Sequence, residues 1–373
     1  MTSSGGDPGN ALRGRRFDVC NGDADGLCAV VQWRLHEPSA ATLVTGLKRE
    51  IALLERVPAR AGDEVLVCDL SLERNRTALL EVLGRGARVR YFDHHACGQV
   101  PVHPGLDAHI DLASGICTSM LVDRYLDGRF RAWAVVGAYG DNLRSAAERL
   151  AADIGLDDRE CERLRLLGEA INYNAYGDDE RDVHIAPARL YAILARYRDP
   201  LALLERETIA HDIDALRRAD LATAMTQPPW WEGSAGAVYL LPDAPWSRRV
   251  IGSLANELAL ARPEAAHAVA KRSADGSLAV SVRAPIAAPS GADVLCRRFG
   301  GAGRARAGGI DGLPAGRFAG FVRAFAAMRW GAPQGGPEEE PAGGSEDGSA
   351  DVPKDEADDE AERGPATTRG GAR

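Results

Sequence analysis

Asp23-Ala24-Asp25-Gly26, Asp69, Asp93-His94-His95 and Gly140-Asp141-Asn142 place five carboxylates and two imidazoles in four short stretches of the chain. Carboxylate and imidazole donors without paired thiolates suit Mn²⁺, Mg²⁺ or iron better than a structural zinc. A donor set of this size accommodates two ions. Two ions a few ångströms apart can clamp a phosphoryl group and activate an attacking water. Closely spaced acids also repel one another unless a cation neutralises them, which favours metal over chance. Each carboxylate has a plainer reading as a helix cap. Asp25 precedes Gly26, Asp69 precedes a helix after Ser71, and Asp141 precedes one after Asn142. Four caps on one edge beside two histidines are a poorer explanation than a shared centre.

The elements around these residues alternate. Residues 16–20 read as a strand, followed by the polar Asn21-to-Gly26 loop and a helix bearing Leu27, Val30, Val31 and Leu35 at helical spacing. Strands are expected at 41–44 and at 64–69, the latter ending on Asp69, then a helix with Ala78, Leu79, Val82 and Leu83 on one face, then a strand at 88–92 delivering Asp93-His94-His95. A helix starts near Ser114 and carries Met120, Leu121 and Tyr125, and the apolar run 133–140 is expected to be a further strand ending on Asp141. Apolar strands separated by helices imply a mostly parallel, doubly wound sheet covered on both faces. Acids and histidines at the carboxyl ends of such strands share one edge, where open α/β sheets bind ligands.

The whole chain is expected to be α/β with two α/β domains. Its expected parts are a flexible start (1–14), a catalytic domain (15–150), a helical connector (151–226), a linker (227–236) containing Trp230-Trp231, a smaller C-terminal α/β domain (237–330) and a disordered acidic tail (331–373). The tail holds twelve acids against four bases, so most of the chain's net charge of −9 belongs to it and the rest is nearly neutral. Solubility explains such a tail better than mimicry of nucleic acid. No apolar run nears the roughly 20 residues that cross a bilayer, and the N-terminal region lacks the apolar core of a secretory signal. Seven cysteines without Cys-x-x-Cys spacing read as small core residues of a cytoplasmic protein with no membrane partner.

In this order and spacing, Asp23-x-Asp25-Gly26, Asp69, Asp93-His94-His95 and Gly140-Asp141-Asn142 resemble the four motifs of the DHH phosphoesterase family, over roughly residues 17–142. Residues 237–330 resemble the family's associated C-terminal domain through the glycine-rich run Phe299 to Gly309. Relatives of this kind include RecJ-type single-strand exonucleases, nanoRNases, cyclic-dinucleotide phosphodiesterases and, more distantly, pyrophosphatases. The resemblance implies that Asp23 ligates a first metal and Asp25 a second, that Asp69 bridges them, and that His94 and Asp141 complete the second site. Asp93 would orient the histidine pair from behind, and His95 would contact the substrate phosphate and stabilise charge in the transition state.

Two departures stand out. Where relatives place a histidine or an aspartate near the first motif, this chain has Val19 and the uncharged Asn21. Where the glycine run is usually followed by a histidine, it has Arg304. Glycines leave backbone N–H groups open to an anion, and arginine grips phosphate bidentately. Asn21, Gly300, Gly301, Gly303, Arg283, Arg304 and Arg306 are therefore the expected substrate contacts. The sequence thus predicts a phosphohydrolase using two Mn²⁺ ions, with Mg²⁺ as a substitute, that cleaves phosphodiesters in short single-stranded nucleic acid or a small nucleotide. The alternatives are a phosphomonoesterase or pyrophosphatase-like enzyme, and a nucleotide-binding regulator with a decayed centre. Asn172, Tyr173, Tyr176 and His184 are expected to pack rather than to stack a base, and Ser114, Thr118 and Ser119 either cap a helix or hold a phosphate.

Overall fold

In the computed structural model, residues 14–273 and 275–331 are described; the start, Ala274 and residues 332–373, which include nearly all of the acidic tail, lie outside them. The first strands and helices run β1 (Arg16–Asn21), α1 (Ala24–His36), β2 (Thr42–Gly46), β3 (Glu64–Cys68), α2 (Leu72–Gly84), β4 (Arg88–Asp93) and β5 (Leu106–Ile110). Seven helices follow: α3 (Thr118–Tyr125), α4 (Arg131–Gly140), α5 (Arg144–Asp153), α6 (Asp158–Asn174), α7 (Pro187–Leu194), α8 (Pro200–Arg206) and α9 (Ile209–Met225). The last part comprises β6 (Trp231–Gly233), β7 (Gly236–Leu241), α10 (Pro245–Ala261), β8 (Ala266–Arg272), β9 (Leu278–Arg283), α11 (Ala292–Arg298), β10 (Ala302–Arg304), β11 (Ala307–Leu313) and α12 (Phe318–Ala326).

The N-terminal sheet has the order β2-β1-β3-β4-β5 and every pairing is parallel. Side chains on a strand alternate between faces, and both faces are covered here. Phe17, Val19, Val65, Val67, Val89 and Tyr91 pack toward α2. Cys20, Leu66, Cys68 and Phe92 join the core built with α1, α3 and α4. The chain leaves β1 to one side and returns on the other to β3. The carboxyl ends of these two strands therefore flank the point where the winding direction changes, the place where such sheets bind ligands.

One expected strand is a helix. Residues 133–140 form most of α4, and all of them are buried. A short apolar run reads equally as a buried strand or as a helix that is apolar all round. Its alanines and glycines, Ala134, Gly137, Ala138 and Gly140, favour helix packing over a pleat. Asp141 thus sits at the C-cap of α4 instead of a strand end. The edge strand β5 escapes a sequence reading because Leu106–Ile110 mixes Asp107 and His109 with its apolar residues and is only partly buried.

The C-terminal sheet is mixed, in the order β10-β11-β9-β8-β7-β6 with only β7 and β8 parallel. One face packs on Phe318, Phe321 and Phe325 of α12. On the other side α10 joins Val250 and Leu254 to the large core of the N-terminal half. The glycine-rich run is largely a β-hairpin, with Gly303 facing Gly308 and Arg304 facing Ala307.

Candidate active site

Asp23 follows β1 and caps α1: its Oδ1 accepts the Gly26 N–H at 3.1 Å. Its Oδ2 lies 2.5 Å from the Lys48 ammonium. Burial opposes its ionisation, yet the charge and hydrogen bond of Lys48 and the Gly26 N–H hold this carboxyl below the usual aspartate range. Asp25 occupies the first turn of α1 and is buried. It does not cap its own helix; its two oxygens accept the backbone N–H groups of Thr118 (2.6 Å) and Ser119 (2.7 Å) at the start of α3. The favourable end of the α3 dipole thus holds the Asp25 carboxylate in place. Neither side chain caps α3, and the two N–H groups are given to the Asp25 carboxylate.

Asp69 sits just past β3 with φ at 59°, a left-handed backbone that aspartate tolerates better than most residues. Its N–H donates to the Phe92 carbonyl at 3.0 Å, and the Thr118 hydroxyl donates to its Oδ1 at 3.3 Å. It is not a cap, since Ser71 caps α2. Burial, followed by the facing charges of Asp23 and Asp25, pushes the Asp69 carboxyl well up.

His94 turns Nδ1 to the Ile116 carbonyl at 2.9 Å. A carbonyl only accepts, so Nδ1 carries a proton, and only when the ring loses its second proton does Nε2 offer a lone pair. Nε2 lies 3.5 Å from Asp69, 3.8 Å from Asp141 and 4.0 Å from Asp25. Burial works against a charged ring, but the hydrogen bond to Asp69 and the charges of Asp25, Asp69 and Asp141 push His94 up to about 10. Asp141 is raised to about 6 by burial and by Asp25 and Asp23. Asp93 supports one histidine only: its Oδ1 lies 2.7 Å from His95 Nδ1, while its Oδ2 takes the Leu72 N–H at 3.3 Å. The expectation that Asp93 orients both rings is corrected here, because Ile116 orients His94. His95 is half-exposed; burial works against its charged form, but Asp93 and Asp69 raise its pKa.

The donor set fits a divalent ion. Asp25, His94 and Asp141 offer ligand atoms within 4.8 Å of one another, and so do Asp69, His94 and His95. Both groupings share His94. Asn21, Asp23, Lys48, Asp69, His95 and Asp141 line one pocket at this edge. A larger cavity, lined by Trp33, Glu64, Arg88, Arg90 and Asp107, opens at the opposite ends of the strands and contains none of these donors.

Lys48 is a site residue that the sequence does not announce. Its one signal is its place two residues past the end of β2, on the same sheet edge. Its ammonium also donates to Asn172 Oδ1 at 3.0 Å and lies 5.7 Å from the Tyr176 ring. Asn172 and Tyr176 therefore border the site, whereas Tyr173 is buried and donates its hydroxyl to Asp220 at 2.7 Å.

The C-terminal candidates divide. Arg283 donates to Asn256 Oδ1 at 2.7 Å and to Ser281 Oγ at 2.9 Å. Burial lowers its pKa, and the nearby Tyr176 opposes that shift. Arg304 and Arg306 are exposed around the hairpin turn. The glycines do not leave an open row of N–H groups. Gly300 and Gly301 donate to the carbonyls of Arg297 and Cys296, closing α11. A Cβ on Gly303 would meet Gly308 Cα at 2.4 Å, so this glycine serves the close approach of two strands.

No family model or curated protein matches the sequence. Solved structures do match the fold. A DHH-domain structure, from a member of a family of ribosomal proteins, superimposes with a TM-score of 0.56 at 12% identity, covering 86% of this chain and 88% of that one. The chain has the DHH-family fold. Exonuclease RecJ bound to manganese matches the same fold with a TM-score of 0.54 at 17% identity, covering 85% of this chain and 92% of that one. RecJ from Thermus thermophilus in complex with Mn²⁺ gives 0.50 at 20% identity; the match covers 84% of this chain and 52% of that longer one. Among the described residues, no helix of this DHH-fold chain is long and apolar enough to cross a membrane.

Proposed function

We infer that this chain is a metal-dependent phosphoesterase that hydrolyses phosphodiester bonds in short single-stranded oligonucleotides or dinucleotides, and that Mn²⁺ is its ion. The observation that carries the reading is the convergence of Asp25, Asp69 and Asp141 on His94 Nε2, within 3.5 to 4.0 Å, beside a pocket lined by His95. A bound ion would supply Lewis acidity toward a phosphoryl oxygen and a lowered pKa for a nearby water. The chain's own residues do the rest. Asp93 fixes His95 so that its Nε2 can face a phosphate oxygen, and the N–H groups of α3 hold Asp25 without reorganisation.

The metal in the RecJ structures of like fold supports the choice of manganese. A second ion, if bound, would fall on Asp23 and Asp69. The near-neutral charge outside the tail favours a short substrate over a long one held by many phosphate contacts. Arg283, Arg304 and Arg306 are the proposed phosphate contacts of the C-terminal part. A cytoplasmic location accords with seven unpaired cysteines.

Incubation with Mn²⁺ and a linear dinucleotide, a short oligonucleotide, a nucleoside monophosphate or pyrophosphate tests the reading through its products. Nucleoside monophosphates are expected from the first two, and Arg304→Ala should raise KM with kcat little changed. Release of inorganic phosphate alone would replace this reading with the phosphomonoesterase one.

A further inference from the structure

We propose that Lys48 is a fixed cation of the active centre, holding the Asp23 pole and facing the substrate phosphate, so that the chain takes one divalent ion where two were expected. This rests on the metal-dependent reading above.

The seat of Lys48 is built from several elements. Its N–H donates to the Ala175 carbonyl at 3.0 Å, and its own carbonyl accepts the Asn21 Nδ2 at 3.2 Å. Its ammonium donates to Asp23 Oδ2 and to Asn172 Oδ1, in the last turn of α6. Two of the three ammonium N–H groups are thereby used, and the residue lines the pocket, so the third is available to an anion.

Around the Asp23 pole the other donors are committed. Asp23 Oδ1 takes the Gly26 N–H and Oδ2 takes Lys48. Asn21 carries no charge, and both of its polar atoms are engaged, Nδ2 with Lys48 and Oδ1 with the Asp23 N–H at 3.2 Å. A divalent ion sharing Asp23 Oδ2 would stand close to a like charge, and the repulsion is strong in a partly buried site. Among the described residues, the ion pair of Lys48 is with Asp23, whereas Asp25, Asp69 and Asp141 gather on His94 with no lysine or arginine paired to them. A lysine ammonium binds phosphate as a point charge. At this place it would take the share of phosphate charge that a second ion otherwise takes.

Titration of the full chain with Mn²⁺, followed by calorimetry and electron paramagnetic resonance, tests the count beside Asp23→Asn and His94→Ala. One ion per chain is expected, with the spectrum of an isolated Mn²⁺. It should persist in Asp23→Asn, whose amide oxygen still accepts the Gly26 N–H, and be lost in His94→Ala. Inorganic phosphate should then bind the Mn²⁺-loaded Lys48→Met variant about tenfold more weakly than wild type, a loss on the order of 1.4 kcal/mol. Two exchange-coupled ions in wild type, or an ion lost in Asp23→Asn, would overturn the lysine assignment and leave the metal-dependent reading standing. Equal phosphate affinity in wild type and Lys48→Met would also overturn it. No bound ion in wild type would overturn both.

Discussion

At His94 one ring nitrogen is tied to the Ile116 carbonyl, and the other carries the whole interaction with three carboxylates. Those carboxylates keep the ring protonated up to about pH 10, whereas a metal ligand must be neutral. Binding of Mn²⁺ at pH 7 should therefore release at least about one proton. The apparent affinity should rise with pH, and it should fall more steeply as pH drops through about 6, where Asp141 takes up a proton. Calorimetry in buffers of different ionisation enthalpy reads this directly, and proton-neutral binding at pH 7 would contradict the assigned ligand. The residue types of this centre are legible because acids and imidazoles are rarely placed together at strand ends without a task. Lys48 is not, because a lone lysine after a strand is ordinary surface chemistry. Only the fold brings it from β2 to the Asp23 carboxylate.

Among the elements, α1, α3 and α4 position two of the proposed ligands, Asp25 and Asp141. The N-terminus of α3 holds Asp25, and α4 delivers Asp141 from its C-cap. Their closeness depends on small residues. A Cβ on Gly140 would lie 2.2 Å from the Ala24 Cβ and 3.0 Å from the Gly168 carbonyl, and one on Gly137 would meet Ser119. Gly140→Ala should thus cost about 1–3 kcal/mol by overpacking. It should also weaken Mn²⁺ binding, because Asp141 is the next residue. Thermal unfolding and metal titration of the same sample check both, and an unchanged melting temperature would show that α4 has room to move. The strands β1, β3 and β4 are legible from their β-branched and aromatic runs. The helix α4 is not, because its burial on every side erases the period that distinguishes helix from strand. The hairpin β10–β11 resembles an anion-binding loop in sequence because glycine content does not tell an open N–H from a close strand approach.

Across the described residues, the C-terminal sheet is joined to the helical segment before it through α10 and a polar seam. Arg249 pairs with Asp220 at 2.6 Å, Arg248 with Asp182 at 2.8 Å, and the fully buried Lys271 with Asp178 at 2.6 Å. Of these three pairs only Arg249 and Asp220 are buried on both sides; a buried pair adds little net stability but penalises any arrangement that separates it, so it acts as a register between the packed parts. Arg49, next to Lys48, reaches Asp311 of β11 at 3.8 Å. The loop that bears the proposed cation therefore touches the sheet that bears Arg283 and Arg304. That relation is hidden in the sequence, since its partners lie far apart in the chain and look like ordinary surface charges. The order of the four motifs, in contrast, is enough to anticipate the DHH-family fold.

Hydrolysis by this molecule should depend on a metal held by Asp25, Asp69, His94 and Asp141. The most direct measurement is the rate of cleavage of a linear dinucleotide by wild type with Mn²⁺, with chelator, and by Asp69→Asn, chosen because asparagine also tolerates the left-handed backbone at this position. Mn²⁺-dependent cleavage is expected in wild type and none with chelator. A folded Asp69→Asn should lose about 100-fold or more, on the scale of removing a group that stabilises charge in the transition state. Equal rates with and without chelator, or an Asp69→Asn variant as fast as wild type, would contradict a metal-dependent centre.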